Sequence, residues 1–194
     1  MGTLDYYNDH TEEFVSQTQS VDMTSIQDRF IGLVKAGGHI LDFGCGSGRD
    51  TKYFLSRGFS VAATDGSEEL CREASRYTGI RVRRLLFTEL DETEAFDGIW
   101  ACASVLHAPH AELPDIFRRM ERALKPGGIL YVSFKYGDFE GERSGRYYTD
   151  MKEDSFGELV RGVPSLTVRE LWVTGDVRPG RASEKWLNAI LRKE

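Results

Sequence analysis

An α/β fold, with helices on both faces of a doubly wound and mostly parallel sheet, is the fold class the sequence predicts, and three observations predict it. Short apolar runs alternate with stretches of helical periodicity from about residue 39 onward. A glycine-rich segment, Asp42-Phe43-Gly44-Cys45-Gly46-Ser47-Gly48, stands where the first of these runs passes into the first of these helices. The last two runs leave no room for a helix between them, and an antiparallel hairpin is their simplest arrangement.

Taken in order, residues 1–37 read as an N-terminal helical segment, and residues 39–43 form the first strand. A helix over about 50–57, a strand over 60–64 and a helix over 68–77 follow. Residues 80–87 read as a third strand. Its Ile80-Arg81-Val82-Arg83-Arg84 alternates charge with apolar side chains, which suits a sheet edge that must discourage pairing with other chains. A fourth strand over 96–104, a helix over about 112–124 and a fifth strand over 128–136 come next. The fourth and fifth are nearly continuous apolar runs, as central parallel strands buried on both faces should be. A polar loop leads to a helix over 150–160. Strands over 165–174 and 185–191, joined through Arg178-Pro179-Gly180-Arg181, close the chain.

With 194 residues, 40% of them hydrophobic, the chain is expected to be one domain: an N-terminal helical segment or lid over 1–37, a ligand-binding core over 38–134, and a substrate-side loop with closing hairpin over 135–194. A core of that size needs neither a metal nor a disulfide. Three cysteines, Cys45, Cys71 and Cys102, without C-x-x-C spacing support neither a disulfide framework nor a zinc site, so no metal is expected. The polar, acidic N-terminus has no signal-peptide order, and the longest apolar run is too short to span a bilayer. A cytoplasmic protein is expected. The net charge of −6 argues against a general nucleic-acid or anionic-membrane binder. From Lys135 onward basic and acidic residues balance at 11 each, so the whole acidic excess lies before it.

The glycine segment carries most of the functional information. Glycines at a strand-to-helix turn let the backbone approach a ligand closely, and the helix N-terminus offers free N–H groups to an anion. The spacing is G-x-G-x-G, with Arg49 where a dinucleotide loop would have its final glycine. An acid two residues before Gly44 suits a ligand with an amino-acid tail: Asp42 facing the ammonium through water, and backbone amides or Arg49 facing the carboxylate. Asp65, 21 residues after Gly44 at the next strand's end, can accept both hydroxyl protons of a ribose. A nucleoside joined to an amino acid satisfies both acids.

The ordered set of Asp42 to Gly48, Asp65, Phe96-Asp97-Gly98-Ile99-Trp100 and Ala123-Leu124-Lys125-Pro126-Gly127-Gly128 resembles the class I S-adenosylmethionine-dependent methyltransferases over about half the chain. More loosely, the chain resembles small bacterial members grouped with tellurite-resistance methyltransferases. The resemblance implies a Rossmann-like seven-stranded sheet in the order 3-2-1-4-5-7-6 with its last strand antiparallel, and S-adenosyl-L-methionine as cofactor. It implies Gly44, Cys45 and Gly46 under the methionine part, Asp65 at the ribose, and Gly66 and Ser67 beside the adenosine. Ala103, Ser104 and Leu106 would lie under the cofactor near its methyl group. Leu86-Phe87-Thr88 departs from members with an acid or amide near the adenine, which leaves Phe87 and backbone amides for that ring.

Methyl transfer needs the acceptor aligned within about 3–3.5 Å of the methyl carbon, and a base only where the acceptor loses a proton. His107, just past the fourth strand, is the candidate base; the alternative for it is a structural histidine. The segment Ala103-Ser104-Val105-Leu106-His107 lacks the D/N-P-P-Y/F motif of nucleobase-amine enzymes, and Ala101 precedes Cys102 where cytosine-C5 enzymes have proline. DNA is therefore not the expected substrate. A small, anionic acceptor is, because Arg143, Arg146, Arg178 and Arg181 can converge beyond the strands' carboxyl ends. Tyr6 and Tyr7 lie in a segment, up to Thr18, that either folds over the cofactor as a lid or packs on the core. A catalytically silent S-adenosylmethionine-binding module is the alternative to an enzyme, and the oligomeric state is left open.

Overall fold

The computed structural model describes residues 2–178, 180–181 and 183–194. Three short helices, α1 (Thr3–Asp9), α2 (Thr11–Thr18) and α3 (Thr24–Ile31), precede the first strand. The alternating part runs β1 (His39–Phe43), α4 (Arg49–Ser56), β2 (Ser60–Asp65), α5 (Glu68–Thr78), β3 (Val82–Arg84), β4 (Phe96–Ala101), α6 (Leu113–Ala123) and β5 (Leu124–Lys135). Then come β6 (Glu140–Arg143), β7 (Arg146–Thr149), α7 (Glu153–Arg161), β8 (Leu166–Gly175) and β9 (Lys185–Lys193). Among the described residues, no helix is long and apolar enough to cross a membrane.

The main sheet has seven strands in the order β3-β2-β1-β4-β5-β9-β8, with β9 antiparallel to both its neighbours. Counted within the sheet this is 3-2-1-4-5-7-6, the expected order, with the charged β3 at one edge. Strand alternation sends successive side chains to opposite faces. Leu41, Phe43, Ile99, Leu130 and Val132 pack toward α6 and α7 with Ile116, Phe117 and Phe156. Ile40, Trp100, Tyr131 and Ile190 pack toward Phe30 of α3 and Phe54 of α4. Tyr131 lies flat on Trp100, with ring centroids 4.0 Å apart.

Three elements differ from the expectation. The third strand is only three residues long: after Leu85 donates to the Asp65 carbonyl, the chain turns into a single 3-10 turn at Phe87–Glu89. The fourth strand ends at Ala101, because Ala103 takes a φ of +50° and directs the chain away from the sheet. The polar loop after β5 contains an antiparallel ribbon, β6 with β7. Its turn puts Ser144 and Gly145 both at positive φ, the geometry that matches the twist of a two-residue hairpin. Pro179, in the expected β8–β9 connection, lies outside the described residues.

Candidate functional site

The glycine turn is tied to the sheet at its start. The N–H groups of Gly44 and Cys45 both donate to the Thr64 carbonyl, each at 2.9 Å. Gly44 has φ +83°, and a Cβ there would stand 2.4 Å from Ser104 Cβ, so the site admits no side chain. Ser104 is fixed in turn by its hydroxyl, which donates to the Phe43 carbonyl at 2.7 Å. A Cβ on Gly46, at φ +55°, would stand 3.0 Å from the Phe14 ring.

Asp65 accepts the N–H of Gly46 and of Ser67, one on each oxygen and both at 2.9 Å. Burial raises its pKa, while those backbone donors oppose the rise. Each oxygen retains a lone pair, and the residue lines the cavity described below.

Asp42 sits elsewhere than the sequence suggested. It shares a face with Ile40, points beneath α4 and accepts the Thr51 hydroxyl at 2.6 Å, with 1% of its surface exposed. Burial and the Asp50 charge push its pKa up to about 8, so it is largely protonated at neutral pH. It is not among the cavity's lining residues.

Arg49 does line the cavity, but its guanidinium holds Asp50 through two contacts of 2.8 Å. Asp50 also accepts Trp100 Nε1 at 2.9 Å and Gln27 Nε2 at 2.6 Å. Burial disfavours its charge, yet Arg49 and the other donors hold its pKa below the usual carboxylate value. Asp50, Gln27 and Trp100 were not singled out from the sequence. Asp50 follows Arg49 at a helix start, where a surface acid is ordinary, and only the burial of that turn reveals its role.

Past the end of β4, Ala103 keeps its strained φ because its N–H donates to Ser133 Oγ at 2.8 Å. The chain then makes a 3-10 turn, Val105–His107. His107 Nδ1 lies 2.6 Å from the Tyr147 carbonyl, and its Nε2 lies 2.8 Å from the Tyr7 hydroxyl. A carbonyl only accepts, so Nδ1 carries the proton, and Nε2 accepts from Tyr7. Desolvation holds the imidazole pKa down at about 4, and burial raises that of the Tyr7 phenol. The imidazole is therefore neutral at physiological pH.

The four arginines do not converge equally. Arg143 is held by Asp150 through contacts of 2.7 and 2.8 Å and does not line this cavity. Arg178 donates to Asp176 at 2.9 Å, and Arg181 lies 3.6 Å from Glu184. Arg146 differs. Its guanidinium carbon lies 4.6 Å from the Tyr6 ring centroid and 5.5 Å from that of Tyr148, its Nε is buried without a partner, and no carboxylate lies within ion-pair distance among the described residues.

Most of the predicted site residues border one cavity of about 430 Å³. Its lining includes Gly44, Cys45, Gly46, Asp65, Gly66 and Phe87. It also includes Ala103, Ser104, Leu106 and His107, together with Tyr7, Arg146, Arg178 and Arg181. Besides Asp42 and Arg143, two predicted residues fall outside it. Ser67 caps α5, accepting the Leu70 N–H and donating to Asn8 at 2.6 Å. Tyr6 stacks on His10, 4.3 Å between centroids. The N-terminal helices pack on the glycine turn and its neighbour. Leu4 packs against Gly66 and Phe14 against Gly46, and Leu4, Tyr7 and Phe14 wall the cavity.

A family model described as a methyltransferase domain matches residues 40–128. Methyltransferase GfsG of Streptomyces halstedii is 32% identical over 110 residues, 52% of this chain and 38% of that protein. Trans-aconitate 2-methyltransferase of an Acidovorax species is 37% identical over 98 residues, 48% of this chain and 37% of that protein. The chain thus aligns with under half the length of these curated relatives. Among solved structures, Burkholderia thailandensis 1,6-didemethyltoxoflavin-N1-methyltransferase, with 1,6-didemethyltoxoflavin and S-adenosylhomocysteine bound, superposes with a TM-score of 0.74. It is 25% identical, over 97% of this chain and 84% of its own.

Proposed function

We propose that the chain is a class I S-adenosylmethionine-dependent methyltransferase, a reading supported by its match to a methyltransferase-domain model and its likeness to a methyltransferase structure, and that it uses S-adenosyl-L-methionine to methylate a small anionic molecule by in-line displacement. One observation carries this reading. A single cavity is lined both by bare glycine backbone with the Asp65 carboxylate and by the Tyr7–His107 pair with the carboxylate-free Arg146.

The residues present fit the cofactor. The Gly44 turn leaves backbone where a side chain would stand, and Asp65 keeps one lone pair on each oxygen for the two ribose hydroxyls. Phe87 offers a ring face at the same wall. Arg49, already neutralised by Asp50, positions the turn more than it supplies a free charge. When bound, the cofactor supplies a methyl group on a sulfonium.

The chain's own residues then have three tasks. Arg146 holds the acceptor's anionic group, with the planar, permanently charged fork that suits carboxylate or phosphate. Tyr7 and His107 take up the proton of an acceptor that must lose one: the phenol oxygen receives it while passing its own to Nε2 of the neutral imidazole. The Ala103–Leu106 wall and the N-terminal helices exclude water from the reacting atoms. The Acidovorax relative acts on trans-aconitate, itself a carboxylate, which is consistent with an anionic acceptor here.

Calorimetric titration tests the reading. S-adenosylmethionine and S-adenosylhomocysteine are expected to bind, and NAD to remain silent. Asp65→Ala is expected to weaken both by about 1–3 kcal/mol, as for the loss of charge-assisted hydrogen bonds. Tyr7→Phe is expected to slow turnover while leaving cofactor affinity within a few-fold. Silence toward both cofactor forms would remove the enzyme reading.

A further inference from the structure

We infer that the acceptor is two-ended: its reacting end enters the main cavity beside Tyr7 and His107, while a second anionic group, phosphoryl or carboxylate, is held in an adjoining basic cavity. This inference rests on the proposed methyl transfer for the identity of the reacting end. The basic cavity itself is independent of it.

A second cavity, of about 520 Å³, opens beside the first between β5, the β6–β7 ribbon and the start of β9. Lys135, Arg146, Tyr148 and Arg181 border both, so the two spaces are contiguous. Five cations surround the second one, Lys135, Arg143, Arg146, Arg181 and Lys185, against two carboxylates. Both carboxylates are engaged: Asp150 by Arg143, and Glu184 by Lys135 and, at 3.6 Å, by Arg181. Arg146 and Lys185 have no carboxylate within ion-pair distance among the described residues.

This concentration of positive charge occurs in a chain whose net charge is −6. Like charges around a concave, partly desolvated space repel one another, and a bound anion relieves that repulsion. Arg146 stands at the junction with its Nε buried and unpartnered, wedged against Tyr6 and Tyr148. A monoanion would need Arg146 alone. The cations beyond it, Arg181 and Lys185, extend the anion-binding surface outward and suit a molecule with charge at both ends.

The test uses the full chain and two probes, inorganic pyrophosphate and glutarate, titrated calorimetrically with and without saturating S-adenosylhomocysteine. At least one dianion is expected to bind, and Lys185→Ala and Arg181→Ala each to weaken it about tenfold or more, the loss of one charge-assisted contact. S-adenosylhomocysteine affinity should stay unchanged in both variants. Preference for pyrophosphate assigns a phosphoryl tail, and preference for glutarate a carboxylate one. Absence of binding by either probe, or binding insensitive to both substitutions, overturns the inference. Failure of S-adenosylhomocysteine to bind while the dianion still does would overturn the methyltransferase reading and leave the basic cavity standing.

Discussion

His107 ties the chemistry of the site to the pH dependence of the fold. Its pKa near 4 in the folded chain lies below the ordinary 6.5, so the unfolded chain binds the extra proton between those values. Stability from this residue is intact above about pH 6.5 and declines as pH falls toward 4. Asp42 runs the other way. Raised to about 8 from 3.8, it makes the folded chain the better proton binder, and its contribution falls as pH rises through that window. The two slopes oppose each other between about 4 and 6.5. Replacing His107 by Gln removes one of them. Urea unfolding should show the variant less stable than wild type at neutral pH, with the gap narrowing by roughly 2 kcal/mol near pH 4.5. A gap that ignores pH would mean that the imidazole titrates as it does in water. Nothing local in the sequence reveals the Tyr7–His107 pair, because 100 residues separate the partners and only the docking of α1 joins them. The orientation of Asp42 was more accessible: strand alternation puts it with Ile40 and opposite Leu41 and Phe43.

Elements show what sequence patterns can carry and where they stop. The alternation of apolar runs and helices pointed to a parallel sheet and charge on the third run to its edge, because burial and exposure along one element are written in adjacent residues, whereas the strand order came with the family resemblance. The β6–β7 ribbon escaped because each strand has only four residues, mostly polar, and only Tyr148 and Thr149 are buried. That ribbon nonetheless supplies Arg146 and the Tyr147 carbonyl that sets the His107 tautomer. The β1–α4 turn makes the opposite point, since its glycines announce its geometry. Gly44→Ala should destabilise the fold by about 3 kcal/mol, from the positive φ and the collision with Ser104 together. Combining it with Ser104→Gly should restore the part due to collision and leave the part due to φ. Denaturation of the two single variants and the double one measures both; strict additivity would mean that the turn relaxes without touching Ser104.

For the whole molecule, the distribution of charge matters more than its sum. All of the −6 excess precedes Lys135, in the part that supplies the glycine turn and Asp65, whereas the part that follows is balanced and presents the basic cavity. A cationic cofactor and an anionic acceptor would each meet a favourable field within the same cavity. S-adenosylmethionine carries one more positive charge than S-adenosylhomocysteine, so the acidic part should favour substrate over product and help the product leave. Salt separates this long-range contribution from local contacts, because the screening length shrinks from about 30 Å at 0.01 M to about 3 Å at 1 M. The ratio of S-adenosylmethionine to S-adenosylhomocysteine affinity should therefore fall several-fold across that range, while Asp65→Ala lowers both affinities at every salt concentration. A ratio indifferent to salt would assign the discrimination to groups in direct contact with the sulfur and leave the acidic excess without a part in it.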